Sequence, residues 1–335
     1  MNRPASRQKP PGNAPAPDRA SLLRMYATMR LIRTFEDRVH RLVSEGKIVG
    51  AAHLSAGEEA VAVGVMSALR PDDMIGSTHR PHGHCIAKGM DLKGIVAELL
   101  GRATGVCKGK GGSMHLADPG VGMLGSAPIV GAGIPIMTGA ALSAKYRASG
   151  QVAVCFFGDG ATNQGTFHEA LNLAAVLELP CIYVCENNLY ADTTSIDFAM
   201  RVENVADRAA AYGIPATIVD GQNVVEVYRA AKAIVERARA QGTPHLLEAK
   251  TYRYYGHYEG DNQKYRTKEE IETYRRRDPL KIFAEEIAPA AGIGEGDLQA
   301  ADTRALEQFD EALQFAEASP YPDLGECLSD VFVQQ

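Results

Sequence analysis

Gly158-Asp159-Gly160 closes a strongly apolar run from Val152 to Phe157, and Asn187-Asn188 closes the next, from Cys181 to Cys185. With a helix expected from Thr166 to Leu179 between them, the segment reads as a βαβ unit. Its right-handed crossover makes the two strands parallel and puts both turns at one carboxyl edge, where open α/β sheets bind ligands. Asp159 and Asn188, 29 positions apart, then face one pocket. A carboxylate oxygen and an amide oxygen suit a hard cation such as Mg2+, which keeps octahedral contacts near ~2.1 Å and completes its shell with water and substrate phosphates. The pair therefore predicts a bound diphosphate. Gly158 and Gly160 let the backbone approach phosphate oxygens, and the start of the helix after Gly160 offers free N–H groups to an anion. Alone, Gly-Asp-Gly is also an ordinary tight turn; the second turn at a fixed distance is what lifts it above that.

The elements that must position these turns follow from apolar spacing. Leu22, Met25, Met29, Ile32, Phe35, Val39 and Leu42 recur every three or four residues up to Gly46, which predicts one long amphipathic helix. Helices are expected at Glu58–Leu69 and Leu92–Leu100, with loops rich in Gly, His and Lys between and after them. From 151 onward strands and helices alternate: a helix near 202–211, a strand Ala216–Val219, a helix Val224–Arg239 and a strand Leu246–Ala249. Continuous apolar strands such as VAVCFF and CIYVC indicate a parallel sheet covered on both faces, so the expected class is a doubly wound, mainly parallel α/β fold. After Tyr274 the chain reads as charged and helical to about 318.

Composition narrows the classes further. The 335 residues carry 35 basic and 41 acidic side chains, a net charge of −6, which gives no broad attraction to nucleic acid or an anionic membrane. Residues 119–144 contain no charge, but Pro119, Pro128, Pro135 and six glycines break the stretch, so a buried loop plus helix is expected rather than a membrane span. Six cysteines without CxxC spacing read as a reduced, cytoplasmic chain. Residues 1–20, with five prolines, read as a flexible arm, followed by one principal domain over 21–330.

Beyond the two turns, several segments share one pattern: Thr78-His79-Arg80 with GHCIAKG, GKGGSMH at 109–115, GDGATNQG, ENNLYADTTS and TYRYYGHYEGD at 251–261. Together they resemble the alpha subunit of the thiamine-diphosphate-dependent first component of 2-oxoacid and acetoin dehydrogenase complexes, over about 21–330. The resemblance implies a thiamine-diphosphate-binding fold, with Asp159, the Asn188 side chain and the Tyr190 carbonyl on Mg2+. It implies Gly158, Gly160 and Ala161 backbone groups at the diphosphate, contacts from His79, Arg80 and His257, and the Val130 main chain on the aminopyrimidine. His53 matches a position near the reacting end of the cofactor, and the match of His257 implies phosphate contact or proton transfer. It further implies an alpha–beta heterotetramer in which the beta chain supplies the activating carboxylate, and transfer of the product to a lipoyl acyltransferase component.

Each of these residues has a plainer reading. Arg80 could form a surface ion pair, His257 could be a solvated or capping residue, and His53 a satisfied core histidine. His82, His84 and His115 suggest zinc, but no thiolate or carboxylate completes a ligand set, and pocket lining with loop hydrogen bonds explains them. Gly109-Lys110-Gly111-Gly112-Ser113 lacks the spacing of a phosphate-binding P-loop. The Thr78-His79-Arg80 form, with His where pyruvate-specific members commonly have Tyr, tilts the substrate toward acetoin, with pyruvate as the alternative. Tyr258 follows His257 where animal pyruvate dehydrogenases carry a phosphorylatable Ser. Ala127-Pro128 replaces a common Asn-Gly, so any contact through that backbone N–H is lost. A magnesium-dependent phosphohydrolase, for which Glu169 and His168 are the nearest bases, and a non-catalytic subunit are the readings from other classes.

Overall fold

The computed structural model describes residues 15–331. Most of the expected arm, residues 1–14, lies outside them. The Asp18 carboxylate accepts the Ser21 N–H at 2.7 Å and starts helix α1 (Arg19–Ser44), which buries all seven of the periodic apolar residues. α2 (Glu59–Met66) is entirely buried and, after Glu59, apolar around its whole circumference. There follow β1 (Met74–Thr78), α3 (His82–Lys88), α4 (Leu92–Leu99), β2 (Met123–Ala127), α5 (Gly133–Tyr146), β3 (Ala153–Gly158), α6 (Gly165–Val176) and β4 (Cys181–Asn187). A two-stranded hairpin, β5 (Tyr190–Ala191) and β6 (Thr194–Ser195), leads through α7 (Ile196–Ala199) to β7 (Ala216–Asp220), α8 (Val224–Gln241) and β8 (His245–Lys250). The chain closes with α9 (Lys268–Arg275), α10 (Pro279–Ile282), a π-type turn, α11 (Ala288–Ala290) and α12 (Glu295–Ala318).

Six strands form one parallel sheet in the order β2-β1-β3-β4-β8-β7. Successive side chains of each strand point to opposite faces, and the two faces carry separate cores. Val154 and Phe156 of β3 and Ile182 and Val184 of β4 pack with α1, α2, α4, α8 and α12. Ala153, Cys155 and Phe157, with Cys181, Tyr183 and Cys185, pack under α5, α6 and the helical turns at Val205–Tyr212. This is the doubly wound α/β arrangement expected from the apolar strands. β3 and β4 pair directly, Ala153 opposite Cys181 and Gly158 opposite Glu186, so the two turns of the βαβ unit do end at one edge. From β1 the chain steps to β2 on one side and then to β3 on the other; the strand order reverses there, which is where such sheets bind ligands.

Several expectations change. β1 and β2 replace loops, and α3 forms from the Gly- and His-rich stretch after Arg80. The residues after Gly158 are a 3₁₀ turn, Asp159–Asn163, and α6 starts only at Gly165, so the amides nearest Gly160 belong to that turn and not to a helix N-terminus. The segment near 202–211 is likewise 3₁₀. The uncharged stretch at 119–144 becomes β2 and α5; no helix among the described residues is long and apolar enough to cross a membrane.

Candidate active site

At the carboxyl ends of β1 through β4 lies a cavity of about 390 Å³, a size at which small molecules bind, roughly 300–1,000 Å³. β1 delivers His79 and Arg80, β2 delivers Val130, β3 delivers Gly158, Asp159, Gly160 and Ala161, and β4 delivers Asn188 and Tyr190; His257 enters from the loop after β8. All of the residues that the resemblance assigns to cofactor, metal or catalysis line this cavity except His53, whose ring stands just behind, 4.7 Å from the ring of His79 and 5.0 Å from that of His257. Glu169 and His168, the bases a phosphohydrolase would need, do not line it.

Two buried guanidinium groups dominate the electrostatics. Arg80, 5% exposed, donates to the carbonyls of Leu54 and, at 3.0 Å, His257, and its Nε lies 3.7 Å from the Glu58 carboxylate. Burial lowers it to about 10, so it stays a cation at neutral pH. Arg253, 1% exposed, donates to the Tyr190 carbonyl at 2.8 Å and reaches Asn188 Oδ1 at 3.5 Å. It also donates to the Asp192 carbonyl and the Tyr265 hydroxyl. Arg253 therefore already places positive charge on the two oxygens assigned to a cation. The Tyr190 carbonyl has a second lone pair to offer, whereas Asn188 Oδ1 also accepts the Tyr190 N–H at 3.4 Å, and a cation there would replace one of these two long contacts.

The acids respond to burial. Asp159 is pushed up to about 6, and Glu58 to about 7, by burial and then, for Glu58, by Glu186. Glu58 accepts from Asn188 Nδ2 at 2.8 Å through one oxygen, while its other oxygen, the one 3.7 Å from Arg80 Nε, is buried with no hydrogen-bond partner among the described residues. Burial, followed by the charge of Arg80, lowers the imidazoles to about 3 at His53, about 2 at His79 and about 4 at His257. All three are neutral at pH 7.

Other conspicuous residues support the site from behind. His84 bridges Ser77 Oγ at 2.7 Å and Glu186 at 3.0 Å, its ring stacked 3.9 Å from that of Phe156. His82 bridges Glu36 and Ser113, and Glu36 accepts the Ser55 N–H and hydroxyl, fixing the turn that carries His53 and Leu54. These two histidines are saturated structural groups, and His115 is exposed, bonded to the Gly111 carbonyl. The glycine-rich loop at 105–112 holds no phosphate with its amides: those of Cys107, Gly109, Gly111 and Gly112 all donate to the buried carboxylate of Glu98.

The cavity fits an anionic cofactor with a polar tail. Arg80 and Arg253 supply charge that no acid fully cancels, Glu58 Oε2 and the Nδ1 atoms of His53 and His257 are buried without a hydrogen-bond partner among the described residues, and a Cβ at Gly160 would collide with the Ala191 Cβ. Buried polar groups are otherwise nearly always paired, so the unpartnered ones mark where a ligand completes the set. Residues 27–325 match the family profile described as "Dehydrogenase E1 component". The chain belongs to that family. It is accordingly a thiamine-diphosphate-dependent oxidoreductase component, as its motifs implied.

Relatives of this E1 component are similar over nearly their whole length. It is 52% identical over 310 residues, 92% of both chains, to the alpha subunit of acetoin:2,6-dichlorophenolindophenol oxidoreductase of Bacillus subtilis. Identity to the subunit of the same name from Cupriavidus necator is 48%, covering 94% of this chain and 95% of the relative. The pyruvate dehydrogenase E1 component subunit alpha of Zymomonas mobilis is 43% identical, covering 94% and 90%. Three further residues of the site carry no marked signal in the sequence: Glu58 only opens an expected helix, Glu186 precedes the Asn pair, and Arg253, inside TYRYYGHYEGD, is signalled at most as an internal Arg in an aromatic run.

Proposed function

We propose that this chain is the alpha subunit of an acetoin dehydrogenase, cleaving acetoin and passing the two-carbon unit to a lipoyl group on an acyltransferase component. The observation that carries this reading is the 52% and 48% identity to acetoin oxidoreductase alpha subunits, against 43% to a pyruvate dehydrogenase subunit. His79 at the cavity wall agrees with it.

When bound, the cofactor supplies the electron sink for cleaving a carbon–carbon bond beside a carbonyl. The protein's part is anchoring and proton handling. Asp159, Asn188 Oδ1 and the Tyr190 carbonyl hold Mg2+, an all-oxygen set that suits a hard cation. Arg80 and His79, with the backbone of Gly158, Gly160 and Ala161, meet the diphosphate, where the fork of a guanidinium matches phosphate oxygens. The Val130 main chain holds the aminopyrimidine. His257 and His53, neutral and with free Nδ1 atoms, can take up the proton of the acetoin hydroxyl and return it to product.

A beta chain completes the site in a two-alpha, two-beta assembly. Ile136, Leu142 and Tyr146 of α5 and Leu173, Val176 and Leu177 around the end of α6 leave an exposed apolar face beside the cavity, and Gly139 adds no Cβ to it. A face of this kind marks an interaction site. The test is acetoin-dependent dye reduction by the alpha–beta complex with thiamine diphosphate, Mg2+ and the beta chain each omitted in turn. Each omission abolishes turnover if the reading holds; full activity without the cofactor overturns it.

A further inference from the structure

His53 stands behind the cavity wall, and its Nδ1 has no hydrogen-bond partner among the described residues, so its ring is placed by its backbone and its ring neighbours. The turn that carries it is tied at four points. The Ala52 and Ala56 carbonyls accept the N–H groups of Glu259 at 2.9 Å and Tyr254 at 2.8 Å, and the Leu54 carbonyl accepts from Arg80. The fourth tie comes from outside the cavity. Glu36 Oε1 accepts both the Ser55 N–H at 2.9 Å and the Ser55 hydroxyl at 2.6 Å. Its Oε2 accepts from His82 Nδ1 at 2.9 Å, and His82 Nε2 stands 2.9 Å from Ser113 Oγ. All four residues are buried, and they come from α1, the turn before α2, α3 and the loop before β2. A Cβ at Gly83 would stand 3.1 Å from Ser55 Oγ, so the glycine beside His82 leaves room for that hydroxyl.

Burial would raise the Glu36 carboxyl, but His82 and Ser55 outweigh it and hold it below its ordinary value, so it stays ionised and can only accept. With an acceptor there, His82 carries a proton on Nδ1, which leaves Nε2 for the Ser113 hydroxyl. A buried ion pair adds little net stability over apolar packing; what this one fixes is geometry, since two of the three hydrogen bonds to Glu36 come from one residue, two positions after His53. We infer that Glu36, oriented by His82 and Ser113, is a positioning residue of the reaction: through Ser55 it sets the His53 ring for proton transfer with the substrate. This rests on the proton role proposed above for His53. The ties at Ala52, Leu54 and Ala56 keep the turn folded when the one at Ser55 is weakened, so the consequence falls on rate. A shift of ~1 Å in a reacting group costs on the order of 10²-fold.

The test is a double-mutant cycle in the intact alpha–beta complex loaded with thiamine diphosphate and Mg2+. It is run on whichever of acetoin and pyruvate the wild-type complex turns over, so failure of the substrate assignment leaves it decisive. Ser55→Ala keeps the backbone N–H bond to Glu36 and removes the hydroxyl's. The expected result is a fall in kcat of at least tenfold, with KM and cofactor affinity changed less than threefold, and a change in kcat of less than twofold when the same substitution is made in His53→Ala. Residues that act as a unit in catalysis are non-additive in this way. An equal fold loss in both backgrounds overturns the inference; so does a loss confined to cofactor affinity, which places the effect at Leu54 and Arg80. If Ser55→Ala does not assemble, Ser113→Ala runs the same cycle from the outer end of the chain, with the same non-additivity expected. Unchanged turnover in His53→Ala itself contradicts the proton role of His53 and overturns the inference with it, whereas a slow His53→Ala with additive losses overturns the inference alone.

Discussion

Asn188 donates its amide N–H to Glu58 at 2.8 Å, and this fixes which end of the amide faces the cavity. With Nδ2 turned to the carboxylate, Oδ1 points to the Tyr190 N–H at 3.4 Å and to Arg253. A metal ligand has to present oxygen, and groups that orient ligands from behind are typically worth 10–100-fold in metal affinity. Glu58→Ala should therefore weaken Mg2+-dependent cofactor binding by that factor, measured by calorimetry on the folded protein.

The same carboxyl gives a stability signature. Burial raises Glu58 from 4.5 to about 7, so between those values the folded chain keeps a proton that the unfolded chain releases. Its contribution is complete below pH 4.5 and is lost as pH rises through 7. Glu58→Gln cannot ionise, so its stability relative to wild type should grow from pH 5 to pH 8, by about 3 kcal/mol at most. Paired denaturant titrations check this, since the histidines titrate equally in both proteins; a constant difference across the range would contradict it.

Cofactor loading should follow Asp159. Its carboxyl is raised to about 6 by burial, and a metal ligand must be deprotonated, so Mg2+-dependent thiamine diphosphate affinity should fall as pH drops below 6, with protons released on binding. Calorimetry in buffers of different ionisation enthalpy reads the proton count.

Gly160→Ala should separate the site from the fold. The added methyl meets the Ala191 Cβ and forces the turn at 159–163 away from the hairpin after β4. Cofactor affinity should drop at least tenfold, with little change in the far-ultraviolet circular dichroism.

Arg33 offers the opposite contrast. It donates to Glu59 at 2.6 Å and Asp278 at 2.8 Å, all three buried, and lies outside the cavity. Arg33→Met leaves two buried acids unpaired and should cost roughly 3–5 kcal/mol of stability, the usual loss when one partner of a buried ion pair is removed. Cofactor affinity of the folded fraction should change little.

What the sequence exposed and what it hid have physical causes. β3 and β4 were legible because both of their faces are buried, which makes every residue apolar, and Asp159 and Asn188 were legible because they end those strands. β1 and β2, MIGST and MLGSA, are short, contain glycine and are partly exposed, so neither alternation nor a long apolar run marks them. α3, HGHCIAK, reads as a loop because what stabilises its histidines lies far along the chain: Glu36 for His82, and Glu186 for His84. Long-range pairing also hid Glu58 and Arg253, whose burial appears only when the turn before α2 and the loop after β8 close over the sheet. The glycine-rich loop at 105–112 was recognisable as a non-Walker loop, but its occupant, Glu98, is set by packing of α4.

The central claim is that this cavity, with His79 in its wall, serves acetoin. The most direct test is kcat/KM for acetoin and for pyruvate, measured by dye reduction with one preparation of the cofactor-loaded alpha–beta complex. A ratio of at least ten in favour of acetoin is expected. A ratio at or below one would contradict it and make the chain a pyruvate dehydrogenase subunit.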